Sequence, residues 1–222
     1  MGPARYDDVA DWYDTTFSGG SPLARMPRET ALRLLGPAMG RLLDVGCGGG
    51  SHTAALAAAG WEAVGLDASE AQLRLARERG CEVVLGHAES LPFAGGSFDA
   101  AVSLWTHTDI DDWPAAIRET RRVLRPGGAF VYVGVHPCFV GPHSLFVEGK
   151  GVPSLHAGYY RRVGRYEEAP GISQTGLRAR VGASHLPLAA FLQSFLDAGF
   201  GLERVEEPGE RDFPVAIALR CR

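Results

Sequence analysis

Between positions 41 and 135, apolar residues alternate between two patterns. Short apolar runs typical of buried strands are each followed by a segment whose apolar positions return at helical spacing. The predicted strands are Arg41–Val45, Glu62–Leu66, Glu82–Leu85, Phe98–Leu104 and Ala129–Val135. The predicted helices are Ser51–Ala59, a helix ending at Arg79 that Asp67 or Ser69 can cap, and Asp112–Leu124. Asp111 or Asp112 is expected to cap the last of these helices. This alternation predicts a parallel sheet with right-handed crossovers, that is, a doubly wound α/β fold.

The pattern changes on either side of this region. In the first forty residues we predict a helix at Tyr6–Tyr13, a loop at Asp14–Pro22 and a short helix at Thr30–Leu35. No clean periodicity appears from His136 to His185. A helix and two strands then close the chain, at Pro187–Ala198, Phe200–Glu206 and Val215–Leu219. We therefore interpret residues 1–222 as a single domain with an N-terminal helical segment, residues 1–40, and an insertion, residues 136–185.

Composition narrows the class of protein. The 222 residues are 45% hydrophobic and carry a net charge of −4, which suits a globular protein and argues against a broad phosphate-neutralising surface. The N-terminus MGPARYDD has no apolar core of a signal peptide, and no apolar run is long enough to span a bilayer. We therefore expect a cytoplasmic protein with reduced cysteines and without a membrane or nucleic-acid partner.

The strongest local signal is a glycine-rich turn after the first predicted strand. The run from Asp44 to Gly50 lets a ligand approach the backbone, and the following helix offers it an N-terminus. Asp67 ends the second strand, where a carboxylate can accept hydrogen bonds from ribose hydroxyls. The dinucleotide fingerprint would need glycine where Ser51 stands, and Asp44 would repel a pyrophosphate but suit a cationic ligand. A tight turn without a ligand, and a helix-capping role for Asp67, remain alternatives.

In these motifs the chain resembles the class I S-adenosylmethionine-dependent methyltransferases, specifically the type 11 group related to ubiquinone-biosynthesis methyltransferases. The resemblance covers residues 4–135 and 186–222. Five segments match in order: Asp44–Gly50, the acid Asp67, Gly86–Phe93, Ser97–Asp99 and Val123–Gly128. The resemblance implies a Rossmann-like seven-stranded sheet, mostly parallel with an antiparallel last strand, and S-adenosylmethionine as the cofactor.

The resemblance also implies roles for individual residues. The glycine loop would wrap the methionine part of the cofactor, Asp67 would hold the ribose, and the segment after the third strand would contact adenine. His87 stands where the family has an acid, so Ala88 and Glu89 are alternatives for that contact. The cofactor-binding residues expected in this way are Tyr13, Asp44, Gly46, Cys47, Gly48, Asp67, Ala68, His87, Ala88, Glu89, Leu104 and Trp105. Tyr13 is included because the N-terminal segment resembles the family's lid helix.

The acceptor should lie beyond the fourth and fifth strands, because doubly wound folds bind ligands at the carboxyl ends of strands. We expect His107 to face this space and His136, extended by Pro137, to point into the cleft. These two histidines are our candidates for a general base, His136 first. His107 and the nearby aspartates lack the spacing of metal ligands, so we expect no metal site.

The insertion at residues 136–185 is a candidate acceptor cap. It holds four of the seven histidines and six basic residues against three acidic ones. Loops of this length in compact domains are usually functional or disordered. A dimerisation arm, and thus a homodimer, is the alternative, and the two roles are compatible.

These observations predict methyl transfer to a small-molecule acceptor, with oxygen favoured over nitrogen or carbon as the methylated atom. Methylation of tRNA or of a protein is the rival reaction, which the basic insertion leaves open. A non-catalytic S-adenosylmethionine-binding protein is the rival of a different class, because a fold by itself does not determine function.

Overall fold

The computed structural model describes residues 4–17, 22–146, 151–172 and 176–222 of the chain. The strands are β1 Arg41–Val45, β2 Glu62–Asp67, β3 Glu82–Leu85, β4 Phe98–Leu104, β5 Leu124–Val135, β6 Ser144–Phe146, β7 Pro153–Leu155, β8 Gly164–Tyr166, β9 Ala183–His185, β10 Leu202–Glu206 and β11 Ala216–Cys221. The α-helices are α1 Ala10–Phe17, α2 Pro22–Leu35, α3 Ser51–Ala58, α4 Glu70–Glu78, α5 Trp113–Val123, α6 Leu177–Val181 and α7 Leu188–Asp197. Single 3₁₀ turns precede α1, at Asp7–Val9, and α5, at His107–Asp109.

Seven strands form one sheet in the order β3-β2-β1-β4-β5-β11-β10. Neighbouring strands run parallel except at β11, which is antiparallel to both β5 and β10. The predicted fold class, a doubly wound Rossmann-like sheet with an antiparallel last strand, is therefore confirmed. The carboxyl ends of β1, β2, β4 and β5 meet at one edge of the sheet, and the loops that follow them form the site described below.

Helices cover both faces of the sheet, and β5 shows why its sequence is continuously apolar. Phe130 and Tyr132 pack on one face against aromatic residues of α5 and α7, while Val131 and Val133 pack on the other face with residues of α2 and α3. All four side chains are fully buried. A strand covered on both faces has no polar side to alternate with, as its sequence predicted.

Two helix starts follow the predicted capping chemistry. The Ser69 hydroxyl accepts a hydrogen bond from the Gln72 N–H at α4, and the Asp112 carboxylate accepts one from the Ala115 N–H at α5. Asp67, the other capping candidate at α4, accepts from Ser69 N–H and lies before the cap. No helix in the described part of the chain is both long and apolar enough to cross a membrane.

The N-terminal segment differs from its prediction. Residues 14–17 continue α1 instead of forming a loop, and α2 begins at Pro22 instead of Thr30. The loop was predicted from the Thr, Ser and Gly residues of this stretch, and Pro27 lies inside α2, where proline is normally unfavourable. Residues 18–21, the rest of the predicted loop, lie outside the described residues.

The insertion contains regular structure that its sequence did not predict. Strands β6 and β7 form one antiparallel pair, β8 and β9 form another, and the five-residue helix α6 lies between β8 and β9 in sequence. Each of these strands has three residues, which is too short for an alternation of apolar and polar positions to appear.

The buried hydrogen bond between Tyr132 Oη and His107 Nδ1, 2.6 Å long, generates a stability prediction. Tyr132→Phe leaves the imidazole nitrogen without this partner in a site that excludes water. We expect the free energy of unfolding, measured by urea titration, to fall by about 1–3 kcal/mol. The control is Tyr166→Phe, because the Tyr166 hydroxyl donates to an exposed backbone carbonyl. Its free energy of unfolding should change by at most about 0.5 kcal/mol. Equal stability of Tyr132→Phe and wild type would contradict the role of this bond.

Candidate active site at the carboxyl edge of the sheet

The turn after β1 is held so tightly that two of its positions accept only glycine. Gly46 and Gly50 have φ values of +76° and +78°. A Cβ atom at Gly46 would lie 2.5 Å from the Thr106 methyl carbon, and one at Gly50 would lie 2.7 Å from Ala76 Cβ. At Gly48, where φ is +52°, a Cβ atom would make only an ordinary contact, 3.6 Å from Gln72 Oε1, so the loop is less crowded there.

Asp67, at the end of β2, holds the glycine loop in place. Its two carboxylate oxygens accept hydrogen bonds from the N–H groups of Gly48 and Ser69, each 2.9 Å long. Burial raises the pKa of Asp67 above its ordinary value. Because each carboxylate oxygen can accept more than one hydrogen bond, Asp67 retains acceptor capacity for hydroxyl groups of a ligand.

Asp44 lies at the end of β1 and is 1% exposed. Its carboxylate accepts a hydrogen bond of 2.7 Å from the Thr53 hydroxyl of α3. Burial raises the pKa of Asp44 to about 7, and the neighbouring Asp67 carboxylate adds to this effect. Two carboxyl groups in a poorly solvated site disfavour an anionic ligand and stabilise a cationic one.

The segment after β3 divides into a buried and an exposed part. Ala88 is 7% exposed and packs in the core, Ala68 and Glu89 are half-buried, and His87 is exposed. His87 pairs through its backbone with Ser90 in a short turn. Of these four residues, Ala88 is the buried one, and the adenine contact stays a prediction.

Trp105, directly after β4, adopts a conformation that a bulky residue rarely takes. Its φ is +61°, and among the described residues it is the one non-glycine residue with positive φ. A hydrogen bond of 2.8 Å from Trp105 N–H to the Val133 carbonyl fixes this turn on β5. The neighbouring Leu104 is buried. Strained residues of this kind occur at functional sites, where the surrounding structure holds them.

The N-terminal helix α1 lies across the glycine loop. The Arg79 guanidinium donates to the Gly49 carbonyl and pairs with the Asp14 carboxylate, both at 2.6 Å. A second ion pair, at 2.5 Å, joins Arg74 of α4 to Asp11. Burial raises the pKa of Tyr13 to about 12, with further contributions from Asp109 and Asp67. The structure thus brings Tyr13 to the region between the glycine loop and the loop after β4.

The two candidate bases are placed differently from what the sequence suggested. His107 is 2% exposed and contacts the rings of Trp113, Tyr132 and Phe191, so its expected orientation toward the substrate space is wrong. The turn at Trp105 redirects the chain, and the ring packs into the apolar core. Burial lowers the pKa of His107 to about 3.

His136 follows β5 as predicted, but it is turned toward the outer strands. Its Nδ1 accepts a hydrogen bond from Cys138 N–H, and its Nε2 lies 2.9 Å from a Glu207 carboxylate oxygen. Burial lowers the pKa of His136, and Glu207 opposes that effect. With the Nδ1 lone pair taken by Cys138, Nε2–H donates to Glu207, and neither nitrogen is left to accept a proton.

Three residues of this region had not been singled out for the site. Gln72 on α4 is 1% exposed, and both polar atoms of its amide are buried without a hydrogen-bond partner beside the glycine loop. The signal was a polar residue among the apolar positions Leu73, Leu75 and Ala76. Asp109 and Arg178 form an ion pair across the site. Their pairing could not be predicted from sequence patterns, because 69 residues separate them.

Comparisons with known proteins show which family of domains this part of the chain resembles. Residues 43–132 match a family model described as a methyltransferase domain. A demethylmenaquinone methyltransferase of Renibacterium salmoninarum is 36% identical over 152 residues, which cover 65% of this chain and 63% of that protein. A probable phthiotriol/phenolphthiotriol dimycocerosates methyltransferase of Mycobacterium ulcerans is 36% identical over 106 residues, 44% of this chain and 40% of that one. The chain thus spans less than two thirds of the length of the curated relatives it matches.

Among solved structures, an S-adenosylmethionine-dependent methyltransferase of Mesorhizobium loti shares the fold with a TM-score of 0.74. The identity is 24%, and the match covers 90% of this chain and 99% of that chain. The family match runs from β1 into β5. It therefore includes the glycine loop, Asp67 and Trp105, whereas α1 and the insertion lie outside it.

The buried Asp44 carboxyl generates a prediction about pH. The pKa of Asp44 is about 7 in the folded protein, well above that of an unfolded chain. The neutral carboxyl therefore stabilises the folded state fully below about pH 4, and this stabilisation is lost as the pH rises from about 4 to about 7. Asp44→Asn removes the cost of burying the charge. At pH 8, without ligand, we expect the free energy of unfolding of the variant to exceed that of wild type by roughly 2–4 kcal/mol, seen as a higher melting temperature. The difference should shrink toward pH 5.

The control for this prediction is Asp99→Asn. The Arg125 guanidinium and the Arg41 amide lower the pKa of Asp99, so its removal should destabilise the protein above about pH 4. Thermal unfolding of wild type and both variants from pH 5 to pH 8 checks the opposite signs. A stabilisation by Asp44→Asn that does not depend on pH would contradict the raised pKa.

Proposed function

We propose that the protein transfers a methyl group from S-adenosylmethionine to a small-molecule acceptor, because residues 43–132 match the model of a methyltransferase domain family, as the motifs predicted. S-adenosylmethionine is the cofactor of this family. The observation that carries the proposal is the glycine loop around Gly48, which lies between the buried Asp44 and the half-buried Asp67.

The residues at this edge fit the cofactor in charge and shape. The sulfonium and ammonium groups are cationic, and Asp44 and Asp67 supply negative charge in a site that carries little water. Gln72 offers an amide that has no partner within the protein. When bound, the cofactor supplies an activated methyl group, so the protein has to bind, orient and exclude water.

Residues are assigned to parts of the cofactor as follows. Gly46, Cys47 and Gly48 of the glycine loop would hold the methionine part, and Asp67 would accept hydrogen bonds from the ribose. Ala68 and Ala88 would contact adenine, with His87 or Glu89 at its edge. Leu104, Trp105 and Tyr13 would border the reactive end.

The acceptor we propose is small and largely uncharged. The Tyr6 and Tyr13 rings pack against each other near Asp109, and the charge of Asp109 is neutralised by Arg178. Relatives of this chain are named for demethylmenaquinone and for phthiotriol dimycocerosates. Both names support an acceptor of the lipophilic class.

Within that class, we propose an acceptor hydroxyl that loses its proton readily, such as a phenol or an enol. His107 is enclosed in the core, and His136 has its acceptor nitrogen occupied by the Cys138 amide. Catalysis then rests on orientation and on exclusion of water by α1 and the insertion. Oxygen remains the methylated atom that we propose.

Formation of S-adenosylhomocysteine over a panel of acceptors tests the reaction. The panel contains lipophilic phenols and hydroquinones, total tRNA, and a peptide mixture, each with labelled S-adenosylmethionine. Transfer to a phenol or hydroquinone supports the proposal. Transfer to tRNA with a steep salt dependence supports the macromolecular alternative. Cofactor binding without turnover on any acceptor supports a non-catalytic binding protein.

The ribose assignment predicts the effect of removing the Asp67 carboxylate. Asp67→Ala eliminates two hydrogen bonds to a charged acceptor, so we expect S-adenosylhomocysteine binding to weaken by roughly 2–4 kcal/mol in calorimetry. Asp67→Asn, which retains one acceptor oxygen, should lose less. The control is the exposed Asp197→Ala on α7, with unchanged affinity. Unchanged affinity in Asp67→Ala would exclude the ribose contact.

The occupied nitrogen of His136 predicts that this residue is not the base. With an acceptor identified, His136→Gln should keep turnover within about tenfold, and the acidic limb of the pH profile from 6 to 9 should not move. A general base contributes roughly 10²–10⁴-fold, so a loss of that size with unchanged cofactor affinity would identify His136 as the base. The melting temperature of the variant shows whether folding is retained.

A further inference from the structure

The loop after β4 is the meeting point of two covering segments that are far apart in sequence. From the N-terminal segment, Arg5 Nη1 donates a hydrogen bond of 3.0 Å to the Asp109 carbonyl, and the Arg5 guanidinium also pairs with Asp111. The Tyr6 hydroxyl is near the Asp109 carboxylate, and burial together with this negative charge raises the pKa of Tyr6. Asp109 thus holds the start of the chain.

The insertion is bound to the same aspartates. Arg178 of α6 contacts both Asp109 carboxylate oxygens, at 2.6 and 3.2 Å, and donates to the Thr108 hydroxyl at 3.0 Å. The Ser184 hydroxyl donates to Asp111 at 3.0 Å. About three quarters of the Arg178 side chain is buried, so this bidentate pair is shielded from the solvent that weakens surface ion pairs.

The two covers also touch each other and the cofactor loop. The Arg180 guanidinium of α6 lies 4.5 Å from the centre of the Trp12 ring of α1. At its other end, α1 is joined through Asp14 and Arg79 to the Gly49 carbonyl of the glycine loop. A continuous set of contacts therefore runs from the insertion, through Asp109 and α1, to the loop that we assign to the cofactor.

From these contacts we infer that Arg178 is a positioning residue that couples the insertion to the N-terminal helix through Asp109, so that the two covers close over the site together. The inference rests on the proposed function only for the choice of ligand. If α6 moves away, the Asp109 carboxylate loses its counterion Arg178 and must be resolvated beside Tyr6. One shared carboxylate makes closure of each cover more favourable when the other is closed.

This coupling has a consequence for binding. A ligand that stabilises closed α1 should also stabilise closed α6, and by linkage the effect must be reciprocal. Cofactor binding would then help to order the acceptor cover before the acceptor is bound. A purely local role for Arg178, holding the insertion alone, predicts no effect on α1.

Hydrogen exchange measured by mass spectrometry separates the two roles. In Arg178→Met we expect the amides of α1, more than 160 positions away in sequence, to exchange roughly 5- to 150-fold faster than in wild type, the range of ordinary coupling. Amides of β1, β4 and β5 should be unchanged. Arg178→Lys keeps the charge but not the bidentate geometry, so its α1 amides should exchange at a rate between those of wild type and Arg178→Met. The control is Arg161→Met, an exposed arginine of the same insertion.

The reciprocal variant is Tyr6→Phe, which removes one hydroxyl and is the milder change. It should accelerate hydrogen exchange in α6. If Arg178→Met does not fold, Tyr6→Phe still tests the coupling. S-adenosylhomocysteine should protect both α1 and α6 in wild type, and should no longer protect α6 in Tyr6→Phe.

The outcomes distinguish this inference from the proposed function. Faster exchange in α6 of Arg178→Met with α1 unchanged, or an unchanged α6 in Tyr6→Phe, would overturn the coupling. Failure of S-adenosylhomocysteine to bind wild type would reject the proposed function, while exchange without ligand would still decide whether the covers are coupled.

Discussion

The hydrogen bond between the Gly48 amide and the Asp67 carboxylate is the interaction on which the arrangement of the site depends. It joins the turn after β1 to the end of β2, and Thr106 and Ala76 lie so close to Gly46 and Gly50 that neither position has room for a side chain. The loop is therefore prearranged, and it is less crowded at Gly48. The electrostatic consequence is a pair of poorly solvated carboxyl groups, which favours a cationic ligand before any side chain has to move.

The covers of this site are built by a different principle from the sheet. The sheet is held by apolar packing on both faces, whereas α1 and the insertion are held by polar contacts to the loop after β4. Tyr6 and Arg178 share one carboxylate, and Arg180 rests on Trp12. Polar contacts can exchange with water more readily than a packed core, so these are the parts of the molecule suited to open for substrate entry.

The sheet could be predicted because its signals are local. Strand β1 was predicted with its observed bounds, since an apolar run lies between Gly40 and Gly46, and Ser69 and Asp112 marked helix starts by their capping chemistry. His107 could not be oriented from sequence, because the direction of its ring depends on the left-handed backbone at Trp105. The Asp109–Arg178 pair joins distant segments, and strands of three residues in the insertion carry no period. The features that the sequence did not predict therefore depend on long-range contacts or on local backbone conformation. They concern the expected acceptor site more than the expected cofactor site.

The most direct test of this account is a crystal structure of the protein with S-adenosylhomocysteine. The account predicts the ligand along the glycine loop, with ribose hydroxyls on Asp67, the thioether sulfur facing the space between Trp105 and Tyr13, and Arg178 still paired with Asp109. Clear density for the ligand at another place, or a crystal grown with saturating ligand in which this edge of the sheet stays empty, would contradict it.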